Sequence, residues 1–292
     1  MSFCIIIPTY NRHKNLHSSV MHNLNIFPKN LSIYVIDSSE NTYVSKYDQI
    51  KVIKASQRGQ FNQKIEAAYK AKNDGFKHVL FLDDDIYLKD DFYDNFCKKY
   101  NTLNDQVHAV SLKVENAFYC SSLTNILLNF TRKGGQLLKS TYTSAMNGSN
   151  GSVEWAIGGA VLWKLESFLK VKNNFQFTGK AFCEDIFSSS FFGKEGFKYW
   201  NDCIVYEDDQ SLNYIKKIEC FKLGMQEAKS RLILVKRRPD LFDIKFLTIH
   251  IFWRILIFLI YGIATFDFTR ISYSLGNANG MIRYYLRGIN GK

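Results

Sequence analysis

Residues 78–91 read HVLFLDDDIYLKDD. The run His78-Val79-Leu80-Phe81-Leu82 suits a dry interior, yet it ends abruptly in three carboxylates, Asp83, Asp84 and Asp85. Like charges at this spacing raise one another's pKa and repel unless a cation sits among them. A solvated turn accommodates them, since Asp is a common turn residue. A divalent cation carrying a phosphorylated ligand accommodates them too, because hard oxygen ligands suit Mg²⁺ or Mn²⁺. The stretch alone supports both readings.

Its surroundings decide between them. Phe3-Cys4-Ile5-Ile6-Ile7, stopped by Pro8, predicts a strand buried on both faces. The loop Thr9-Tyr10-Asn11-Arg12 leads into a predicted helix reaching about Phe27. Leu31–Ile36 predicts a second strand ending at Asp37-Ser38-Ser39, and Val52-Ile53 a short third. After Gly59 a helix is predicted over Phe61–Asn73, with Ile65, Ala68 and Ala71 inward and Gly75 as its stop. Strands alternating with helices imply a parallel sheet of right-handed βαβ units. Ligands of such sheets bind beyond the carboxyl ends of the strands. Three successive strand ends carry polar sets here: Thr9–Arg12, Asp37–Ser39 and Asp83–Asp85. Caps and turns would have to be invoked three times on one edge, so a nucleotide-plus-metal site is the better account.

Composition removes other classes. With 46% apolar and 15% aromatic residues the chain folds, and 292 residues can bury one large core or two modest ones. Six widely spaced cysteines (Cys4, Cys97, Cys120, Cys183, Cys203, Cys220) without a Cys-x-x-Cys pair read as reduced cytosolic thiols. The start, MSFCIIIPTYN, lacks the basic region of a signal peptide. His13 and His17 fall at i, i+4 on what reads as solvated helix surface, and no P-loop or nucleophile elbow is present.

The segments IIIPTYNR, VIDSS and FLDDD resemble the inverting family 2 glycosyltransferases with a GT-A fold. The resemblance implies an α/β, Rossmann-like, mainly parallel central sheet flanked by helices. Thr9, Tyr10 and Asp37 would contact the nucleotide of a nucleotide-sugar donor. Asp83 would face its ribose side, Asp84 would be a further nucleotide-binding residue, Asp85 would ligate Mn²⁺ or Mg²⁺, and Arg58 of RGQFNQ would join the donor site. VIDSSEN lacks the glycine usual in the second-strand motif. Further on, WAIGGAVLWKLESF and FTGKAFCEDIFSSSFFGKEGFKYW resemble the family's acceptor half. Gly158 and Gly159 would allow backbone to approach the acceptor sugar, since glycine has no Cβ in the way. Asp185 would be the general base and Glu184 its orienting neighbour or an acceptor contact; a carboxylate at a helix N-terminus stays ionised. Helix capping is the plainer use of that pair. Phe191 stands near where the family carries an arginine, with Lys194 as a nearby cation. Glu207 of VYEDDQS stands where the family often has a metal-binding histidine, so it is a candidate ligand; the alternative is an exposed acidic loop with Asp208 and Asp209.

Net charge is +11, and residues 210–292 hold 14 Lys and Arg against 5 Asp and Glu, so nearly all the excess lies there. Residues 244–266 are almost wholly apolar. About 20 such residues can span a bilayer, but Arg254 would sit near its centre at a cost of about 2.5–3.5 kcal/mol. Asp243, His250, Arg254, Tyr261 and Thr265 share one helical stripe, which predicts an amphipathic helix lying in a membrane interface or packed on the domain. Lys229, Arg231, Lys236, Arg237 and Arg238 before it, and Arg270, Arg283 and Arg287 among tyrosines after it, suit anionic lipid. SLGNANGMIRYYLRGING resembles the C-terminal end of membrane-associated family members. Nucleic acid is not expected, because the aromatics lie within a greasy helix and not on a stacking platform.

The expected organisation is a nucleotide-sugar-binding half (1–105), an acceptor and catalytic half (106–209) and a basic membrane-associating region (210–292). The expected activity is metal-dependent, inverting transfer of a sugar, UDP-linked by family default, to a lipid-linked or surface-polysaccharide glycan. Its place would be the cytoplasmic face of a membrane, with peripheral attachment through 229–292. A polyprenyl-phosphate sugar synthase and a non-catalytic nucleotide-sugar-binding protein are the rivals. A pyrophosphorylase is disfavoured by the missing Gly-rich, Arg-bearing N-terminal loop.

Overall fold

A computed structural model describes residues 2–115, 134–144, 146, 150–171, 182–207, 217–266 and 268–290. Cys120, Asp208, Asp209 and much of the loop region 115–155 therefore lie outside the described residues, as does the side chain of Arg287. The chain divides into two compact units: Met1–Phe118 with Met146–Asp209, and Tyr119–Ala145 with Gln210–Lys292. Residues 119–145, expected in the catalytic half, belong instead to the C-terminal unit, where Tyr142 enters an apolar cluster with Leu232, Leu247 and Ile251.

The first unit is built on one nine-stranded sheet. Its strands are β1 (Phe3–Thr9), β2 (Ile33–Asp37), β3 (Ile50–Lys54), β4 (His78–Leu82), β5 (Ile86–Leu88), β6 (Ala109–Glu115), β7 (Gly151–Val153), β8 (Ala160–Lys164) and β9 (Phe197–Glu207). The order is β3-β2-β1-β4-β8-β6-β9-β5, with β7 also on β9. The stretch β3-β2-β1-β4 is parallel, and β8 runs antiparallel between β4 and β6. All seven residues of β1 are buried, as its continuous apolar run implies.

Pro8 lies inside β1 and does not end it. Ile5 donates its N–H toward β2, so the alternate residue Pro8 turns its nitrogen toward β4. The β1–β4 pairing stops at Ile6–Phe81, and no ladder bond is lost there. Helix α1 (His13–Leu24) ends before the expected Phe27, because a residue preceding proline, here Pro28, disfavours helical backbone. Helix α2 (Gln60–Asn73) buries Phe61, Lys64, Ala68 and Ala71 and leaves Ile65 half-buried, so its inner face is turned from the expected one and includes a lysine. Helices α3 (Phe92–Tyr100), α4 (Leu165–Val171) and α5 (Glu184–Ser190) complete the unit.

The second unit contains α6 (Lys217–Arg237), α7 (Ile244–Thr265) and α8 (Phe268–Asn290). Helices α6 and α8 touch backbone to backbone: a Cβ on Gly224 would lie 2.1 Å from the Tyr273 carbonyl oxygen. The middle of the predicted polar stripe of α7, His250 and Arg254, turns inward, whereas Thr265 at its end is exposed. Asp243 caps the helix by accepting from the Lys245 N–H at 2.7 Å. His250 stacks on Tyr142 at 4.0 Å, and Arg254 reaches Glu227 at 3.1 Å. The apolar face, including Ile249, Phe252, Leu256 and Ile260, is left exposed. Arg231, expected to meet lipid, is buried and donates to Glu227 at 2.7 and 2.9 Å.

Candidate active site

The carboxyl ends of β1, β2 and β4 lie side by side, with Thr9 directly opposite Asp37 in the ladder. The three polar sets therefore share one rim. After β4 the chain turns through Asp83–Asp85, and the Asp83 N–H donates to the Gly159 carbonyl at 2.9 Å, joining the donor-side turn to the entry of β8. A cleft of about 310 Å³ opens here, lined by Asp83, Asp85, Gly158, Gly159, Glu184, Asp185 and Glu207 together with Gln60, Cys183 and apolar side chains. Residues far apart in the chain thus meet around one space.

The three aspartates do different work. Asp83 accepts from Gln60 Nε2 at 2.7 Å and lies 3.9 Å from Lys64 Nζ. Asp84 is buried with both oxygens engaged, one by Thr9 Oγ1 at 2.7 Å and one by Arg12 Nη1 at 2.8 Å. Asp84, expected at the nucleotide, anchors the rim from within and is not among the residues lining the cleft. Asp85 lines the cleft and takes Arg12 Nη2 at 2.7 Å. Burial pushes the Asp84 carboxyl up to about 7, against the pull of Arg12 and Thr9.

Asp37 is likewise turned to internal use. Its Oδ1 accepts from the Ser39 N–H at 2.8 Å, and its Oδ2 from the Tyr43 N–H at 2.7 Å, with His13 Nε2 2.8 Å away. Burial opposes the charge, but these donors win and hold the carboxyl below the usual range. Asp37, expected at the nucleotide, is fully buried and fixes the loop 37–43. His13 is half-buried against Tyr43 at 5.8 Å, whereas His17 is exposed, its ring 6.5 Å from that of Tyr43. Tyr10 and Arg58 sit on the open rim, the guanidinium 5.2 Å over the Tyr10 ring.

On the acceptor side, Cys183 adopts a left-handed conformation (φ 65) and starts α5, which places Glu184 and Asp185 in its first turn. The Ile186 N–H donates to Asp185 Oδ1 at 2.8 Å, and the helix is tied down by Ser189, which accepts from the Ala156 N–H at 2.9 Å. Gly158 and Gly159 face the carboxylates: added Cβ atoms would lie 3.4 Å from Asp185 Cβ and 3.2 Å from Asp83 Oδ2. Lys64, unsuspected in the sequence, is buried and bridges these groups. Its ammonium is 2.5 Å from Glu184 Oε1 and 3.0 Å from the Gly158 carbonyl oxygen. Burial alone would push its pKa down; Glu184 and Asp83 reverse that and hold it above the ordinary lysine value. Lys194, by contrast, pairs with Glu154 at 3.0 Å and is not among the residues lining this cleft.

Among the described residues no three His, Cys, Asp or Glu side chains form a ready cation cage. The donor set still fits a hard cation, because Asp83, Asp85 and Glu207 offer only oxygen ligands to the cleft. Mg²⁺ typically takes one or two carboxylates and completes its shell with substrate phosphates and water.

Residues 4–140 match the model of glycosyl transferase family 2. The match spans a little under half of the chain. No curated protein matches the sequence. Among solved structures, the chain is similar to GalNAc-T7 with UDP, GalNAc and Mn²⁺ (TM-score 0.57, 13% identity), over 81% of this chain and 48% of that one. It thus spans about half the length of that structure. It is also similar to the mannosyltransferase PcManGT from Pyrobaculum calidifontis in complex with GDP-Man and Mn²⁺ (TM-score 0.52, 12% identity), over 100% and 88% of the two chains. At such identities the likeness establishes a GT-A-like fold. The family match ends before Gly158 and the Glu184-Asp185 pair.

Proposed function

We propose that this glycosyltransferase moves a sugar, with inversion, from a nucleotide-diphosphate donor to a glycan acceptor, lipid-linked or part of a surface polysaccharide, at the cytoplasmic face of a membrane. The observation that carries the reading is the placement of Asp185 on the same cleft as Asp83 and Asp85. An acceptor hydroxyl held between them would have a carboxylate on one side and the leaving diphosphate on the other. Asp185 takes the hydroxyl proton as the oxygen attacks the anomeric carbon. Lys64 holds Glu184 in place beside it. Tyr10 and Arg58 offer an aromatic face and a cation to the donor at the rim. A divalent cation held by Asp85, with Glu207 as a further ligand, would offset charge developing on the departing diphosphate. Mn²⁺ together with UDP or GDP-Man in the two similar structures supports this choice of donor class.

Calorimetric titration with UDP, GDP and dTDP, each with and without Mn²⁺, tests the donor site. Micromolar binding of one nucleotide that depends on Mn²⁺ is expected, with at least tenfold loss in Asp85→Ala, the scale of one good charged contact. Folded protein that binds none of the three refutes the reading.

Membrane attachment is supported by α7, a 22-residue helix that turns His250 and Arg254 inward and leaves Ile249, Phe252, Leu256 and Ile260 exposed. Binding to vesicles containing phosphatidylglycerol is expected to fall roughly tenfold or more in Ile249→Glu/Phe252→Glu, given about 1.5–3 kcal/mol for each large apolar side chain buried. Flotation unchanged by the pair of substitutions would exclude this face as the membrane contact.

A further inference from the structure

We propose that Arg12 occupies the seat of the cation in the ligand-free protein, and that cation binding frees its guanidinium to grip the donor diphosphate; this rests on the donor-site reading above. The geometry is specific. Arg12 forks across the turn, with Nη1 2.8 Å from Asp84 Oδ1 and Nη2 2.7 Å from Asp85 Oδ2. The second Asp84 oxygen is taken by Thr9 Oγ1 at 2.7 Å, and the Asp84 carbonyl accepts from Ser19 Oγ at 2.8 Å. Asp84 is thus a fixed post, whereas Asp85 is shared between Arg12 and the cleft.

A cation ligated by Asp85 would stand within a few ångströms of the guanidinium, where two like charges repel strongly in a half-buried site. Both cannot hold Asp85 well, so they exchange. The Arg12 backbone stays in place, because the Asn11 N–H donates to Ser39 Oγ at 2.7 Å and the Arg12 carbonyl accepts from the Leu16 N–H at 3.0 Å. Its side chain is 37% exposed and can swing. Released from Asp85, a planar fork of N–H donors matches phosphate oxygens well. Arg12 is therefore a donor-binding residue as well as a stand-in for the metal.

Removing the Arg12 charge should tighten Mn²⁺ and weaken the nucleotide, and the controls Lys14→Gln and Arg12→Lys separate this exchange from a diffuse charge effect. Calorimetry of the full chain with MnCl₂ alone should show Arg12→Gln binding Mn²⁺ roughly tenfold more tightly than wild type, the scale of one relieved charge contact. With saturating Mn²⁺, the same variant should bind UDP or GDP, whichever wild type prefers, roughly tenfold more weakly. Lys14→Gln removes an equal charge two residues away, from an exposed side chain, and should change neither affinity. Arg12→Lys keeps the charge without the fork; it should leave Mn²⁺ affinity close to wild type and still weaken the nucleotide, which guards against a misfolded glutamine variant. Equal Mn²⁺ affinity in wild type and Arg12→Gln, in protein that binds a nucleotide, overturns this proposal alone. An equal rise in Lys14→Gln overturns it as well, since the effect is then a diffuse one. Absence of nucleotide and Mn²⁺ binding in wild type overturns the donor-site reading and this proposal together.

Discussion

Asp185→Asn is expected to lower sugar transfer by a factor of about 10²–10⁴, the usual contribution of a positioned general base. The substitution keeps the shape of the side chain and an oxygen able to accept from the Ile186 N–H, which now meets Asp185 Oδ1 at 2.8 Å. Helix α5 should therefore start as before, and the donor nucleotide should bind with unchanged affinity. Only the ability to take a proton is removed. Glu184 is poorly suited to replace it, because its Oε1 is held by Lys64 and the side chain is buried. The measurement is turnover of the preferred nucleotide sugar beside calorimetry of the matching nucleotide. A variant that retains more than about a tenth of wild-type turnover would remove Asp185 from the base role. Loss of both turnover and nucleotide binding would instead mark Asp185 as part of the fold.

The residues that surround this chemistry illustrate what a sequence conceals. Asp83–Asp85 and Glu184-Asp185 announce themselves because acids at the end of an apolar run, or opening a helix, leave few explanations. Lys64 does not announce itself. Helix α2 reads as an inner face of Ile65, Ala68 and Ala71, whereas the true inner face runs through Phe61, Lys64 and Ala68. A buried lysine becomes tolerable only when acids from 19 and 120 residues away arrive around it, and long-range pairing leaves no periodic trace. Arg12 is legible only as one polar residue in a polar loop; its fork onto Asp84 and Asp85 depends on the register that sets β1 beside β4. Asp37 shows the opposite case. A strand-end acid reads as a ligand contact, but Ser39 and Tyr43, two and six residues on, consume its oxygens. That signal is local and fits an Asx-type turn.

In the second unit the largest expected effect comes from Glu227→Gln. Glu227 Oε1 accepts from Arg231 Nη2 at 2.7 Å and Arg254 Nη1 at 3.1 Å, while Oε2 accepts from Tyr273 Oη at 2.5 Å. The Arg231 guanidinium also stacks 3.4 Å from the centre of the Tyr142 ring. One buried anion therefore holds α6, α7, α8 and the 137–144 turn to a common point. Glutamine preserves the shape but leaves two guanidinium groups without their anion, a loss of about 3–5 kcal/mol when one partner of a buried pair is removed. Amides of α6–α8 that exchange only by opening of the unit should then exchange about 100-fold faster or more at neutral pH. Burial works against the Glu227 charge, yet the two arginines and Tyr273 hold its carboxyl far below the ordinary range. A depressed acid contributes stability that is full above its unfolded pKa, about 4.3, and is lost as pH falls toward the folded value. The gap between wild type and Glu227→Gln should therefore be constant near neutrality and narrow progressively below about pH 4.3. A gap that stays the same down to about pH 3 would mean that Glu227 acts through its shape and hydrogen bonds and not through its charge.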